Sequence, residues 1–373
     1  MRCQRTLTSL VLPALLTLSA CSDSTTVVPT DPSAARSAAA SAHGTAATNT
    51  LSTVRWNQKG IALFRARGGS AVRIDAYLAV AQYRAVLAAA HAPHGHTRPS
   101  LAGAAAGASV VVLEQFYALD SAGIDAALAA QRVEPRVGEE QNLDFAAGEA
   151  IGRAIGNAVL AQAANDNFGL TSPGVPPVGP GYWVSSAAPI VSGGFGARPF
   201  FLTSGSELRA PPPPAFGSAP YLAALAEVRA FADNRTAAQV ANTRFWVPFS
   251  GVVFNGLATD LIDRYDRSEL ESARILAYGN AAAYDAIIAC FDSKFAYWFI
   301  RPTQADPGIT LATGLPNHPS YPSAHSCESG AFATVLKDAF PAERTSLDSI
   351  AQDASMSRVI GGLHYRFDGD GGL

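Results

Sequence analysis

The stretch Ser268–Pro302, SELESARILAYGNAAAYDAIIACFDSKFAYWFIRP, decides the fold. Ser268 followed three residues later by Glu271 is a capping box, in which hydroxyl and carboxylate each satisfy a backbone N–H that the first helical turn leaves unpaired. No helix breaker follows until Arg301-Pro302, where the residue before proline resists helical dihedrals. The pattern predicts one long helix from about Glu269 to Ile300.

Upstream, three Ala-rich segments, Ala71 to Ala92, Ser100 to Arg132 and Asn142 to Asn165, carry apolar residues at helical spacing and are long enough to be helices. Order is expected to begin near Trp56. From Gly169 to Pro220 proline and glycine recur, and only YWV and RPFFL look like anchors, so this part reads as a long loop laid over the helices. Helical character returns at Tyr221, and Thr236 with Gln239 forms a second capping box. A loop to Ser323, a helix from about Ser326 to Phe340 and another from about Arg344 to Ile360 complete the reading. No repeat and no persuasive strand occurs, so the expected class is all-α: an N-terminal helical half over 54–168, a Pro/Gly-rich loop region over 169–220 and a C-terminal helical half over 221–373.

The chain opens with Arg2 and Arg5, an apolar run from Leu7 to Leu18 and the small residues Ser19 and Ala20 before Cys21. This reads as a secretory signal over 1–21, too short to span a bilayer stably. Leu18-Ser19-Ala20-Cys21 resembles the lipobox of bacterial lipoproteins, which implies lipidation at Cys21 and export to the bacterial cell envelope, periplasm or outer membrane, with a lipid anchor as the only membrane attachment. Residues 22–53, rich in Ser, Thr, Ala and Pro, read as a flexible tether. The net charge of −3, about −5 without the two leader arginines, leaves no basic field for a nucleic-acid partner. At 48% hydrophobic and 15% charged residues the chain is globular, with ample material for a core. Beyond the leader only Cys290 and Cys327 remain; an oxidising compartment would let them pair, but two separate buried thiols are expected.

Three clusters carry possible chemistry. In KFAYWFIRP, Lys294 and Arg301 lie two helical turns apart on one face, roughly 10 Å at the backbone, so both side chains can converge on one anion; Phe291 and Trp298 share that face. In PNHPSYPSAHS, from Pro316 to Ser326, a proline-stiffened loop brings Ser323 and His325 to a helix start, where unpaired N–H groups attract anions and a histidine can move a proton. The competing reading of Ser323 is plain helix capping. In SRVIGGLHYRFD, from Ser357 to Asp368, Arg358 precedes a Gly-Gly turn and His364 stands four residues before Asp368, which can orient its ring as nucleophile or metal ligand. A separate HAPHGH run, with His91, His94 and His96, has spacing that suits zinc but no carboxylate near it; a solvated loop is the alternative.

Taken in order, K-x6-RP, PSxH and SR-x5-H-x3-D resemble the signature shared by vanadium-dependent haloperoxidases and type-2 phosphatidic acid phosphatases. APPPPAFGS, EVRAFADNRTAAQ and RFW upstream are similar to bacterial haloperoxidase-like proteins. The resemblance implies that Lys294, Arg301 and Arg358 clamp the oxygens of vanadate or phosphate, helped by the Ser323 hydroxyl and the backbone N–H of Ala324. The family usually carries glycine at the last of these positions. His364 is then the axial vanadium ligand or the phosphorylated nucleophile, Asp368 holds its ring, His325 is the acid–base group and Lys294 polarises bound peroxide. His318, seven residues before His325, sits where the family carries histidine in bromoperoxidases or phenylalanine in chloroperoxidases, so it points to bromide or iodide; Phe291, often tryptophan, is the other halide-site candidate.

The expectation is therefore an all-α haloperoxidase using vanadate, hydrogen peroxide and halide. The alternatives are a secreted acid phosphatase acting on a phosphomonoester through a phosphohistidine, and a non-catalytic anion-binding lipoprotein. Oligomeric state is left open, a dimer included. Family members continue past the aspartate into a further helix, whereas here GDGGL follows, so His364 and Asp368 are expected to be less firmly held in a chain truncated or altered at its end.

Overall fold

The computed structural model describes residues 51–93, 97–136, 138–188, 190–248 and 250–373. The leader, Cys21 and most of the tether lie outside these residues, as do His94 and His96. Among the described residues there are helices and two isolated bridges but no strand.

The central element is the helix read first. We number the helices in chain order: α1 Ser52–Arg67, α2 Ala71–Ala90, α3 Leu101–Phe116, α4 Ser121–Val133, α5 Phe145–Ala163, α6 Ala219–Asn234, α7 Ala237–Phe245, α8 Ser250–Arg264, α9 Glu269–Tyr297, α10 Pro302–Ala305, α11 Ala324–Ala339, α12 Arg344–Ile360 and α13 Arg366–Asp370. The capping boxes at Ser268 and Thr236 are both formed. Helix α9 packs between α2 and α11, and its Leu276, Tyr284 and Ile288 are fully buried in a core shared with Phe254 of α8, Phe332 of α11 and Ala354 of α12. Helices α1 to α5 enclose a second core around Trp56, Leu78, Val110, Leu113 and Val159.

The structure corrects the sequence reading in four places. The tether does not reach residue 53: Ser52 and Thr53 are buried at the start of α1, and their N–H groups donate to the carboxylate of Glu269 at 2.8 and 2.7 Å. A cap supplied from so far along the chain leaves no local signal. The segment expected as one helix over 100–132 breaks at Tyr117 and turns by 120° into α4. Helix α9 ends at Tyr297, before the proline, because Trp298 adopts a left-handed conformation (φ 49°, ψ 37°). That conformation is unfavourable for a bulky side chain. Trp298 is held in it by stacking on Trp183, and its carbonyl accepts a 2.7 Å hydrogen bond from the Trp183 N–H. Helix α11 begins at Ala324, two residues earlier than expected, which makes Ser323 its N-cap.

Among the described residues of 169–218, which form a covering loop, the only regular piece is a short 3-10 turn at Gly205–Leu208. It attaches where the two apolar runs lie. Beside Trp183, the Ile300 N–H donates to the Gly181 carbonyl at 3.0 Å, while the N–H groups of Phe200, Phe201 and Leu202 converge on the buried Asp285 carboxylate of α9. At Gly193 (φ 53°) the loop presses on the Phe291 ring so closely that a Cβ would lie 2.4 Å from it. Among the described residues no single helix is long and apolar enough to cross a membrane.

Candidate active site

The three clusters meet. Lys294, on the last turn of α9, is fully buried, and its ammonium donates to the carbonyls of Pro319 (3.1 Å), Ser320 (2.8 Å) and Pro322. Arg301, also fully buried, donates from Nε to the His318 carbonyl (3.1 Å), from Nη1 to the Leu363 carbonyl (2.8 Å) and to His364 Nε2 (3.0 Å), and from Nη2 to His318 Nδ1 (3.0 Å). Arg358, near the end of α12, donates to Ser357 Oγ at 3.0 Å and to the Thr243 carbonyl. Among the described residues these three cations find carbonyls, hydroxyls and imidazoles rather than carboxylate partners in an ion pair. Burial pushes Lys294 down to about 8 and Arg301 and Arg358 each to about 10, all still protonated at neutral pH.

The expectation of a loosely held end is not met. His364 precedes the short helix α13 rather than lying within it, and Asp368 reaches back from α13 to its Nδ1 at 2.8 Å. Both residues are buried, and the same Asp368 oxygen accepts from Ser320 Oγ at 2.5 Å and from the Tyr365 N–H at 3.2 Å. The tautomer follows from the partners. A guanidinium can only donate, so His364 Nε2 is the acceptor and Nδ1–H is the donor to the carboxylate. Burial, with Arg301 and Lys294 nearby, holds His364 well below the usual histidine range, so the ring is neutral. Asp368, raised to about 6 by burial, is ionised at neutral pH. The result is a fixed imidazole whose Nε2 lone pair faces a cation.

Ser323 decides between capping and binding. Ser100, Ser218, Thr236 and Ser268 each accept a hydrogen bond from the first turn of their helices. Ser323 occupies the same position on α11 without making that bond, and its buried Oγ has no partner among the described residues. Its neighbour Ala324 is the first helical residue of α11, a conformation alanine takes readily, so alanine in place of glycine does not disturb the backbone there. The residues fit a tetrahedral oxyanion: an orphaned hydroxyl, the start of a helix, three buried cations and an oriented imidazole nitrogen.

His325 follows on α11, with Nε2 donating to the Trp246 carbonyl at 2.7 Å; burial and then Arg358 push it down to about 3, so it is a neutral base. His318 is buried rather than a surface loop residue, lies beside Arg301 and meets Phe291 edge-on at 5.2 Å. The zinc reading gains nothing here: His91 Nδ1 bonds the Leu87 carbonyl, and the described residues contain no group of three metal-binding side chains.

Two supports escaped the sequence reading. Ser320 sits inside the quoted loop, but nothing in its spacing marks it as a partner of Asp368. Asp353 of α12 accepts from Asn242 Nδ2 (2.8 Å) and the Trp246 indole N–H (2.9 Å). It thereby holds the end of α7, whose Thr243 and Trp246 carbonyls bind Arg358 and His325.

No family model matches the chain. A vanadium-dependent bromoperoxidase of Ascophyllum nodosum is 34% identical over 92 residues, a match covering 17% of this chain and only 16% of that protein's length. Among solved structures, a bacterial vanadium-dependent iodoperoxidase superposes with a TM-score of 0.71 at 22% identity, covering 85% of this chain and 92% of that one. An apo-type bacterial vanadium-dependent chloroperoxidase gives a TM-score of 0.64 at 14% identity over 80% of this chain and 89% of that one. With the helical order and the pocket already described, these likenesses establish the architecture: the chain has the all-α fold seen in these bacterial vanadium-dependent haloperoxidases.

Proposed function

We propose that the chain is a vanadate-dependent haloperoxidase that oxidises bromide or iodide with hydrogen peroxide to a hypohalous-acid equivalent. The observation that carries this reading is the tautomer of His364, whose Nε2 lone pair is presented by Asp368 and Arg301 beside the unpartnered Ser323 hydroxyl. His364 Nε2 would supply the nitrogen ligand to vanadate, and Lys294, Arg301, Arg358, Ser323 and the Ala324 N–H would hold its oxygens. When bound, vanadate supplies a Lewis-acidic centre that activates peroxide toward halide. The residues do the rest: the cations neutralise oxyanion charge in a water-poor pocket, His325 accepts a proton from the entering peroxide, and Asp368 keeps the His364 ring in one tautomer. The bromide or iodide preference rests on His318 against Phe291 beside Arg301.

The same presented nitrogen suits a nucleophile attacking a phosphomonoester, which keeps a phosphohistidine acid phosphatase as the second reading. The test is purified protein loaded with vanadate and assayed for peroxide-dependent bromination and iodination of a phenol dye, beside hydrolysis of p-nitrophenyl phosphate. Vanadate-dependent halogenation supports the proposal. Phosphate-ester hydrolysis without halogenation overturns it in favour of the phosphatase, and oxyanion binding without either activity leaves an anion-binding lipoprotein. Export and lipid attachment at Cys21 form part of the proposal, supported by the lipobox-like run; a protein that takes up no labelled fatty acid when expressed in bacteria would remove that part.

A further inference from the structure

Cys290 and Cys327 are both free, buried thiols, as expected, but they lie close to the pocket. Cys290 lies on α9 one turn before Lys294, and Cys327 lies on α11 one turn after Ser323, its N–H donating to the Ser323 carbonyl at 3.0 Å. Both are buried and unbridged, and they line one cavity from two helices that pack on each other. Cys290 Sγ also contacts the Pro322 carbonyl at 3.8 Å, the carbonyl that accepts from the Lys294 ammonium. The pair lines a cavity of about 400 Å³ whose other walls include Ala289, Pro322, Ala331 and Leu202. A small uncharged oxidant therefore has room beside both sulfurs, next to residues that would bind the oxyanion.

We propose that Cys290 and Cys327 form a dithiol–disulfide pair that hydrogen peroxide closes at the back of the pocket. The Cys290 sulfur attacks one peroxide oxygen, giving a sulfenic acid and a water. The Cys327 sulfur then displaces the sulfenic oxygen as a second water, so two thiols and one peroxide become one disulfide and two waters. Closure brings the two sulfurs to the bonded distance of about 2 Å. Cys290 is the first to react: burial opposes its thiolate, but neighbouring Cys327 and the Lys294 charge favour it and bring its thiol below the usual range. Once closed, the bond ties α9 to α11 and fixes Lys294 against Ser323. The reduced and oxidised forms then differ in how rigidly two walls of the pocket are joined.

The experiment treats the folded full-length protein with hydrogen peroxide in the absence of vanadate and halide, blocks free thiols under denaturing conditions and maps peptides by mass. The expected result is a cross-linked peptide joining residues 290 and 327, lighter by two hydrogens than its parts and split by a reductant, with a higher melting temperature for the oxidised protein. In Cys327→Ser the cross-link is lost and a sulfenic acid at Cys290 is trapped by dimedone. Two thiols that both remain open to alkylation after excess peroxide would overturn the proposal, as would a bridge that forms only in denatured protein. Because no vanadate or halide is present, failure here is separate from failure of the haloperoxidase reading.

Discussion

The contact between α3 and α5 and the pocket between α9, α11 and α12 are built on opposite principles. In the first, backbones meet: a Cβ on Gly107 would lie 2.3 Å from the Glu149 carbonyl oxygen, and one on Gly152 would lie 2.1 Å from that of Ala104. Side chains are excluded, and dispersion between closely approached helices supplies the stability. In the second, two arginines and a lysine are buried against carbonyls from separate loops, an arrangement that opposes folding until an anion shares it. The comparison teaches that the first region is specified by what is missing from the side chains, the second by a few chemical groups held at fixed places.

The largest expected effect tests the second region. His364→Ala removes the nitrogen that Asp368 orients beside Arg301 and should weaken vanadate binding by more than about 100-fold, since loss of a ligand exceeds the tenfold to hundredfold cost of losing a ligand's support. Equilibrium dialysis measures this, and unchanged affinity would end the assignment. Gly152→Val strikes the other region. It forces α3 and α5 apart and should destabilise the fold by about 3 kcal/mol in urea unfolding, with vanadate affinity of the folded fraction unchanged. If affinity fell in step, the two regions would not be separable.

Lys294 gives a pH test of intermediate size. Its proton is bound below about 8 and lost above. Phosphate affinity should therefore be level below that pH, apart from phosphate's own titration, and should fall by up to tenfold per unit above it. In Lys294→Arg the fall should vanish, because guanidinium stays charged. The smallest effect is expected at Asp353→Asn, which loosens the end of α7. A roughly threefold drop in kcat with a shifted pH profile, restored by Asp353→Glu, would mark Asp353 as positioning His325 and Arg358 through backbone carbonyls. A loss of stability with an unmoved profile would show that it only holds the helices together.

The sequence was legible wherever one short window held the whole cause. The capping boxes, the Ala-rich helices and the three spaced motifs are of this kind, and the motif residues do converge. It was opaque where partners lie far apart in the chain. Helix α1 is capped by Glu269, Trp298 is held left-handed by Trp183, and the cations are solvated by carbonyls, which every residue possesses and no sequence pattern reveals. Asp353 and Ser320 belong to the same class, since their importance lies in what they touch. The break at Tyr117 was missed because apolar spacing continues on both sides of it, although the chain turns.

Ser323 leaves the first turn of α11 without the hydroxyl cap that other helices receive, a bond usually worth about 1 kcal/mol. A ligand that occupies the pocket would therefore act as a folding partner for this helix as well as a guest. Heat stability should then report the oxyanion content of the medium, rising with the logarithm of vanadate or phosphate concentration once the dissociation constant is passed. Buffer composition becomes a physiological variable for this protein: surroundings rich in phosphate would keep the fold robust while competing for the place where its chemistry is proposed to occur.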